Sequence, residues 1–346
     1  ITINREHNIS NEKYVFADRY ASQTLTVHLP PAGSNSGRTI SIVPSTYPIR
    51  LESSVGELSG GDWAIVSESL DMISNQGVWR PFGDAAQIGV RGKIKDIWPG
   101  SGSSSPNHFM EVNGTLFFSA NHETNGTELW KTDGTEAGTS MVKDIISGSG
   151  GSSPSNFVEV NGTLFFSANH GSSGNELWKS DGTAAGTVLV KDIRSGANSS
   201  SIAYLTNLQG MLFFRANDGS TGYELWKSDG TEAGTVRVKD IRPGSNSSSP
   251  SNFVEVNGTL FFAANDGSKG TELWKSDGTE AGTTIVKDIR TGSSSSSLSY
   301  LTIMNDHFYF RAHDGSRGYE LWKSDGTEAG TVLVKDIQTG SGSSSP

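Results

Sequence analysis

Short runs of hydrophobic or alternating residues, separated by turn-forming residues, recur along most of the chain. In one representative copy of the pattern, these runs cover residues 253–256, 259–264, 272–274 and 284–286. Asn257-Gly258 separates the first two runs, and Asn-Gly between strand-like runs is the strongest short signal of a β-hairpin. No segment shows the 3.6-residue apolar period of an amphipathic helix. The pattern predicts an all-β chain in which each copy forms four short antiparallel strands.

The copies follow one another at a fixed interval. Glu-Leu-Trp-Lys begins at five positions that are 48 residues apart, namely Glu128, Glu176, Glu224, Glu272 and Glu320. Phe261-Phe262 places aromatic residues on both faces of one strand, so a single small sheet cannot bury them all. Four strands in ~40–50 residues are typical of a β-propeller blade, whose neighbours cover these faces. An open β-solenoid is the alternative, although its coils are usually shorter and carry fewer hairpin turns.

The number of blades depends on how an extra segment is used. There are five sets of the first three strands but six Lys-Asp-Ile segments, because residues 92–97 precede the first full copy. Either a ring closes with five blades and one segment is displaced, or the natural chain continues beyond Pro346. We favour five blades.

Residues 1–83 lack the repeat and predict a separate module. Apolar alternation predicts strands at 24–29, 39–43, 49–51, 63–66 and 78–82. Residues 30–37 are rich in Pro, Gly, Ser and Asn and predict a loop. The sequence therefore predicts a small antiparallel β-sandwich or jelly-roll-like module over 1–83, followed by the propeller over 84–346.

Composition narrows the classes of function. The formal net charge of −10 argues against nucleic-acid binding, which needs a concentrated basic surface. No apolar run approaches the ~20 residues that span a bilayer, so membrane insertion is not expected. The absence of Cys excludes disulfides, thiolate metal sites and a cysteine nucleophile.

The repeated residues have structural explanations that compete with functional ones. The five tryptophans of the Glu-Leu-Trp motif resemble a sugar-stacking set, but we expect them to pack between blades; they are Trp130, Trp178, Trp226, Trp274 and Trp322. Lys227, which follows one of them, is expected at the surface. The Asp-Gly-Thr turns offer oxygen ligands for calcium, but each has one Asp and at most one Glu, so calcium is weakly supported and no cofactor is predicted. The Asp of Lys-Asp-Ile is expected to bond backbone amides between blades.

Residues that differ between copies are the better ligand candidates. The third and fifth copies share Tyr-Leu-Thr, Phe-Arg-Ala and a further Tyr where the other copies differ. Arg and Tyr at a rim offer bidentate hydrogen bonding and rigid amphipathic surface. The predicted ligand-binding residues are Arg215, Tyr223, Arg311, His313 and Tyr319. Each of them is also compatible with a solvent-facing position that binds nothing.

Catalysis is not expected. The His residues show no HExxH or other paired metal spacing, so no metal site is predicted. The chain has no GxSxG elbow and no phosphate-binding loop. Nearly every carboxylate in the repeats recurs, so no unique pair stands out for glycoside hydrolysis.

Two resemblances cover nearly the whole chain. The C-terminal copies, with their ELWKSDGT motifs, resemble the ELWxxDGT repeats of bacterial secreted and surface proteins, which implies a propeller. The run LTVHLPPAGSNSGRTISIV, followed by Gly-Val-Trp-Arg, is similar to small β modules of bacteriophage tail-fibre and other virion proteins. That similarity implies a virion-associated or extracellular binding protein.

Two functions are therefore expected as alternatives. The first is a phage tail fibre or surface protein whose propeller contacts host-surface glycans, while its other partners are virion or surface-structure proteins and further copies of itself, with a trimer favoured. The second is a purely structural role in a capsid, tail, extracellular filament or surface layer. An enzyme is a distant third.

Overall fold

A computed structural model describes residues 14–16, 40–42, 72–75, 78–81 and 93–346. The chain forms two compact units, Ile1–Lys93 and Ile94–Pro346, so the division falls about ten residues after the expected one. In the first unit, β1 (Tyr14–Phe16) pairs with β2 (Ile40–Ile42), and β3 (Met72–Asn75) pairs with β4 (Val78–Pro81). The predicted strands at 24–29, 49–51 and 63–66 lie outside the described residues.

One pairing in the first unit corrects the sequence-based expectation. β1 and β2 are parallel, whereas an all-antiparallel module was expected. Parallel neighbours cannot be joined by a two-residue hairpin, so this pair is not a hairpin of the expected kind. β3 and β4 form the expected antiparallel arrangement.

The second unit contains five antiparallel four-stranded sheets, each with its strands in chain order. Sheet 1 contains β5 (Asn107–Val112), β6 (Thr115–His122), β7 (Gly126–Thr132) and β8 (Ser140–Lys143). Sheet 2 contains β9 (Ser155–Val160), β10 (Thr163–Asn169), β11 (Asn175–Ser180) and β12 (Val188–Lys191). Sheet 3 contains β13 (Ala203–Leu208), β14 (Met211–Asn217), β15 (Tyr223–Ser228) and β16 (Val236–Lys239). Sheet 4 contains β17 (Ser251–Val256), β18 (Thr259–Asn265), β19 (Thr271–Ser276) and β20 (Thr284–Lys287). Sheet 5 contains β21 (Ser299–Met304), β22 (His307–His313), β23 (Tyr319–Ser324) and β24 (Val332–Lys335).

The prediction of four antiparallel strands per copy is confirmed. In sheet 4 the strands extend the predicted runs by at most two residues at either end. Asn257 and Gly258 both have positive φ, at 49° and 79°, which is the conformation that a two-residue type I′ hairpin requires. The described residues include no helix that is long and apolar enough to span a membrane.

Each sheet has two apolar faces, and the pairing register fixes which residues share a face. In sheet 2, Phe166 pairs with Trp178 and Ser167 pairs with Leu177. We call the side carrying Trp178 the Trp face and the side carrying Leu177 the Leu face. The same register recurs in all five sheets.

The core lies between consecutive sheets. Trp226, on the Trp face of sheet 3, is 6% exposed and packs in one cluster with Val160, Phe165 and Leu177 of sheet 2. Equivalent clusters join sheets 1 and 2, sheets 3 and 4, and sheets 4 and 5. The first strands of these neighbouring sheets also contact one another. The tryptophans of sheets 2 to 5 therefore each lie in an interface with the preceding sheet.

Buried glutamates stabilise the segments that link the sheets. Glu224 is fully buried and accepts hydrogen bonds from the Ile241 amide at 2.9 Å, the Ser248 amide at 2.9 Å and the Ser248 hydroxyl at 2.6 Å. Burial raises the pKa of Glu224 to about 7, against the opposing effect of these hydrogen bonds. The glutamate of the Glu-Leu-Trp motif therefore takes the backbone-bonding role that the sequence had assigned to the Asp of Lys-Asp-Ile.

The aspartates of Lys-Asp-Ile match the expectation in one copy, where Oδ2 of Asp192 accepts a hydrogen bond from the Gly196 amide at 3.4 Å, and differ from it elsewhere. Oδ2 of Asp144 accepts a hydrogen bond from the Asn125 side chain at 2.7 Å. Its Oδ1 is buried without a hydrogen-bond partner among the described residues, as in four other copies: Asp192, Asp240, Asp288 and Asp336. In these copies the amide of the following Ile donates to the Glu instead.

Lysines connect each sheet to a turn of the next sheet. Lys227 donates a hydrogen bond from Nζ to the carbonyl of Gly278 at 2.9 Å, and Lys239 donates to the carbonyl of Thr283 at 2.8 Å. Both acceptors belong to the turn that begins with Asp277, whose Oδ1 accepts from the amide and hydroxyl of Thr279. Lys227 is thus not the simple surface residue that was expected, because it spans to the following sheet.

The two outer sheets of the series differ from the inner ones. On sheet 1, Ile97 packs against Phe118, Ala120 and Trp130, in the manner of the Lys-Asp-Ile isoleucines elsewhere. On sheet 5, the Leu face is open to solvent: Met304 is 54% and Val334 43% exposed. The five sheets therefore share four full interfaces among the described residues.

Candidate binding site

The first strand of every sheet carries an irregularity at the same position. A register shift opens between the first and second strands, and one residue within it adopts a left-handed backbone conformation. These residues are His108, Asn156, Tyr204, Asn252 and Tyr300, with φ between 54° and 59°. Asn is tolerant of this conformation, whereas a bulky Tyr is an outlier there.

Two of these positions have a clear structural role. Asn156 donates from Nδ2 to the carbonyl of Ile202 at 3.2 Å, and Asn252 donates to the carbonyl of Leu298 at 3.2 Å. Each bond joins one sheet to the segment that leads into the next. Tyr204 and Tyr300 cannot make this bond, so their presence needs another explanation.

Both tyrosines lie beside an arginine that the other sheets lack. In sheet 3, the guanidinium carbon of Arg215 lies 5.0 Å from the ring centre of Tyr204 and 5.1 Å from that of Tyr223. In sheet 5, the guanidinium carbon of Arg311 lies 5.9 Å from Tyr300 and 4.1 Å from Tyr319. We call these two groups of three residues the Arg–Tyr clusters.

The clusters are partly open to solvent. Tyr204 is 41% and Tyr300 70% exposed, while the arginines are half-buried. Tyr204 is less exposed because its ring lies 5.7 Å from that of Phe253 in the following sheet, and sheet 5 has no such neighbour among the described residues. The sheet 3 cluster is therefore supported from the adjacent sheet, and the sheet 5 cluster is more accessible.

The fold does not require these arginines. At the equivalent position on the Leu face, the other sheets bury a small residue: Ser119, Ser167 or Ala263. Ser167 is 1% exposed, and its hydroxyl lies 3.0 Å from that of Ser155, so the site is closed without a charge. Placing a guanidinium there leaves Nε of Arg215 and of Arg311 buried without a hydrogen-bond partner among the described residues. Such a group is unfavourable for stability. The buried, unpartnered Asp Oδ1 atoms recur in five copies, whereas this one occurs only in the two sheets that carry an Arg, so it is not a general feature of the repeat.

The cluster arginines have no carboxylate partner among the described residues, a feature that they share with Arg194, Arg242 and Arg290. Elsewhere, Arg237 lies 3.5 Å from a carboxylate oxygen of Asp218, and Arg317 lies 2.7 Å from one of Asp314. Within the described part of the chain, neither cluster arginine has a carboxylate within salt-bridge distance. In a protein with a formal charge of −10, two guanidinium groups are thus held without an ionic partner.

The structure groups most of the predicted ligand residues. Arg215 and Tyr223 lie together in one cluster, and Arg311 and Tyr319 lie together in the other. The His313 ring lies 5.4 Å from that of Tyr319, edge to face. Its Nδ1 accepts a hydrogen bond from the Gly315 amide at 2.7 Å, a bond that Asn makes in other copies, so His313 has a structural explanation.

Sequence reasoning missed Tyr204 and Tyr300 as site residues. Their signal was present, since both belong to Tyr-Leu-Thr triplets found in the same two copies as the arginines. What the sequence did not show is that a bulge turns each Tyr towards the arginine of the neighbouring strand.

The Asp-Gly-Thr turns, the candidate calcium ligands, have a local structure of their own. The described residues contain no group of three or more His, Asp or Glu side chains that could hold a metal ion. In the Asp-Gly-Thr turns, where calcium had been considered, one carboxylate oxygen accepts two hydrogen bonds from the Thr two residues later, and these bonds lower the pKa of the Asp. The turn is thus explained as a local hydrogen-bonded structure.

Comparison with known proteins identifies no family. No protein-family model matches the chain, and no curated protein is similar to it. Solved structures that resemble it include the computationally designed Ika8 protein (12% identity, 71% of this chain and 66% of that one, TM-score 0.37). Puromycin hydrolase is similar at 14% identity, over 77% of this chain and 41% of its own length (TM-score 0.45). A putative TolB from Agrobacterium tumefaciens is similar at 11% identity, over 62% of this chain and 74% of its own length (TM-score 0.33). This chain thus spans less than half of the hydrolase.

Proposed function

We propose that this protein binds carbohydrate without catalysis, through the Arg–Tyr clusters of its repeat unit. The supporting observation is the pair of exposed tyrosines, Tyr204 and Tyr300, held in left-handed backbone conformation beside arginines that the fold does not need. The left-handed conformation recurs in every sheet, and what sheets 3 and 5 add is a bulky Tyr at a position where sheets 2 and 4 have an Asn that bonds the following segment. An exposed Tyr ring presents a flat apolar face and a hydroxyl, which together suit a pyranose ring.

The proposed arrangement of the sheets is a β-propeller with five blades. Four equivalent interfaces between consecutive sheets, and first strands that contact one another, support the succession of blades. A closed ring of five blades needs a fifth interface, between sheets 5 and 1, which the described residues do not form, so the proposal is of five consecutive blades. In such an arrangement consecutive sheets are related by rotation about one axis, so Tyr204 and Tyr300, which occupy equivalent positions in sheets 3 and 5, lie at the same level along that axis. Two similar weak sites on one rigid body gain avidity of about 10²–10⁴ for a repetitive ligand if both can be engaged together.

The proposed location is a virion tail fibre or an extracellular surface. The resemblance of residues 84–346 to ELWxxDGT repeats and of residues 1–83 to virion β modules supports it. The proposed ligand is a host-surface glycan, and the proposed protein partners are other virion or surface-structure proteins and copies of this chain, with a trimer favoured. Antibody labelling of purified particles and of cell surfaces distinguishes the two locations.

A purely structural role is the second candidate. It is favoured by the near identity of the buried glutamates, lysines and tryptophans in the five copies, because a scaffold can be copied without adapting any site. In that case the Arg–Tyr clusters would contact a partner subunit rather than a sugar.

Glycan-array binding separates the two candidates. We expect the intact protein to bind at least one host polysaccharide, and the double variant Tyr204→Ala/Tyr300→Ala to lose that binding. Phe109→Ala is the matched control, since Phe109 is an aromatic residue on the first strand of sheet 1, 56% exposed, with no arginine over its ring. An array on which the intact protein binds no polysaccharide would refute the carbohydrate function.

A further inference from the structure

We infer that the Arg–Tyr clusters select saccharides that carry a negative charge on the sugar, as a carboxylate or a sulfate. This inference rests on the proposed carbohydrate function and adds the class of sugar to it. It follows from the state of the two guanidinium groups, from what surrounds them and from the overall charge of the chain.

The guanidinium groups have hydrogen-bonding capacity that the protein does not use. Arg215 and Arg311 interact with tyrosine rings, and within the described residues neither donates a hydrogen bond. The buried unpartnered atom of each is Nε, whereas the terminal nitrogens are not cut off from solvent. The planar fork of a guanidinium matches the two oxygens of a carboxylate or sulfate, so a charged sugar would satisfy donors that a neutral sugar satisfies less well.

The tyrosines hold that fork in place. Arg215 lies about equally far from the rings of Tyr204 and Tyr223, at 5.0 and 5.1 Å. Contacts with two rings restrict the rotamers of a long side chain, so less conformational freedom is lost when an anion binds. The ring of Tyr204, which is 41% exposed, lies next to the charged group, so both are within reach of one sugar residue.

The net negative charge of the chain indicates that any ion pair with an anionic sugar forms locally, at the Arg–Tyr clusters. With a formal charge of −10, the protein as a whole repels a polyanion, so non-specific attraction cannot account for binding of an acidic polysaccharide. Both clusters also lack a competing carboxylate within salt-bridge distance among the described residues. The inferred selectivity is therefore assigned to Arg215 and Arg311, the arginines that lie beside the exposed tyrosines.

The test uses pairs of ligands that differ only in charge. One pair is an oligogalacturonate and the same oligosaccharide with its carboxyl groups reduced to alcohols, and the other is dextran sulfate and dextran. Affinities are measured by calorimetry for the intact protein and for Arg215→Gln/Arg311→Gln. The matched control is Arg194→Gln/Arg290→Gln, which removes the same charge at two residues that bond only loop carbonyls.

We expect one charged ligand to bind at least about tenfold more tightly than its neutral partner, the ratio typical of a charge-assisted hydrogen bond. Arg215→Gln/Arg311→Gln should lower the affinity for the charged ligand to that for the neutral one, and the control should leave both unchanged. Whichever pair shows the preference identifies the carboxylate or the sulfate. Arg215→Lys/Arg311→Lys keeps the charge but not the fork, and should lose most of the preference; it also provides the test if the Gln variant does not fold.

Equal binding of charged and neutral partners, unaffected by the arginine substitutions, would overturn the inference and leave the carbohydrate function standing. Loss of the preference in the Arg194/Arg290 control as well would overturn it too, because the effect would then come from net charge. Absence of binding to any of the four ligands and to any polysaccharide of the array would overturn both proposals.

Discussion

Truncating one interface tryptophan tests how the repeat is held together. Trp226 lies on the Trp face of sheet 3, is 6% exposed and packs against Val160, Phe165 and Leu177 of sheet 2. Its Nε1 has no hydrogen-bond partner among the described residues, so its contribution to stability comes from apolar packing. We expect Trp226→Ala to weaken the interface between these two sheets.

The magnitude follows from the buried area. A buried Trp removes ~150–250 Å² from water, which at ~25 cal/mol per Å² corresponds to an upper bound of ~4–6 kcal/mol. Measured truncations of large core residues to Ala cost ~3–5 kcal/mol, because the surroundings relax only partly around the cavity. We therefore expect a loss of ~3–5 kcal/mol in the free energy of unfolding.

The assay should locate the loss as well as measure it. In a repeat protein each unit contacts its neighbours, so the effect should concentrate in sheets 2 and 3. Hydrogen exchange should accelerate there first, and the melting temperature should fall. Val236→Ala on β16 of the same sheet is the control, since Val236 is 37% exposed and should change stability by at most ~0.5 kcal/mol. A Trp226→Ala protein that melts like its parent would show that the tryptophan does not stabilise the interface.

Three further predictions concern pH, a lysine and a glycine. Burial raises the pKa of Glu224 from 4.5 to about 7, so its contribution to stability is fully present below pH 4.5 and is lost as the pH rises through 7. Hydrogen bonds lower the pKa of turn aspartates such as Asp229, so their contribution to stability is lost as the pH falls below 3.8. Urea denaturation should accordingly show greatest stability near pH 4–5, and stability that rises steadily from pH 5 to 8 would contradict the glutamate assignment. Lys227→Ala should cost ~1 kcal/mol, since it removes the bond to the Gly278 carbonyl, and no change in the urea midpoint would contradict this role. Gly270→Ala should lower the melting temperature far more than Gly292→Ala. Both glycines have positive φ, but an added Cβ at Gly270 would lie 2.5 Å from a backbone carbonyl, whereas one at Gly292 would meet no atom within 4 Å. Equal effects of the two substitutions would contradict the packing described.

The strands could be predicted from the sequence because their signals are local. Alternation and Asn-Gly turns define a hairpin within about ten residues, and the fixed period extends the prediction to every copy. Lys227 and Glu224 could not be assigned in this way. The acceptor of Lys227 is 51 residues away and the partners of Glu224 are 17 and 24 residues away, so their roles depend on how sheets and loops pack.

The candidate site was predictable in part for a similar reason. Arg215, Arg311, Tyr223 and Tyr319 stood out because they break an otherwise uniform repeat. Tyr204 and Tyr300 needed the structure, because a bulge with positive φ sets the direction of their rings and no local pattern marks that bulge. His313 was predicted as a ligand residue, but its Nδ1 bonds the Gly315 amide in its own loop.

The most direct test of the account is a crystal structure of the protein with the oligosaccharide that binds it most tightly. We expect a sugar ring on the exposed face of Tyr300, its charged group within hydrogen-bonding distance of Arg311, and the same arrangement at Tyr204 and Arg215. A sugar bound elsewhere, with both Arg–Tyr clusters empty at saturating ligand, would contradict the central claim.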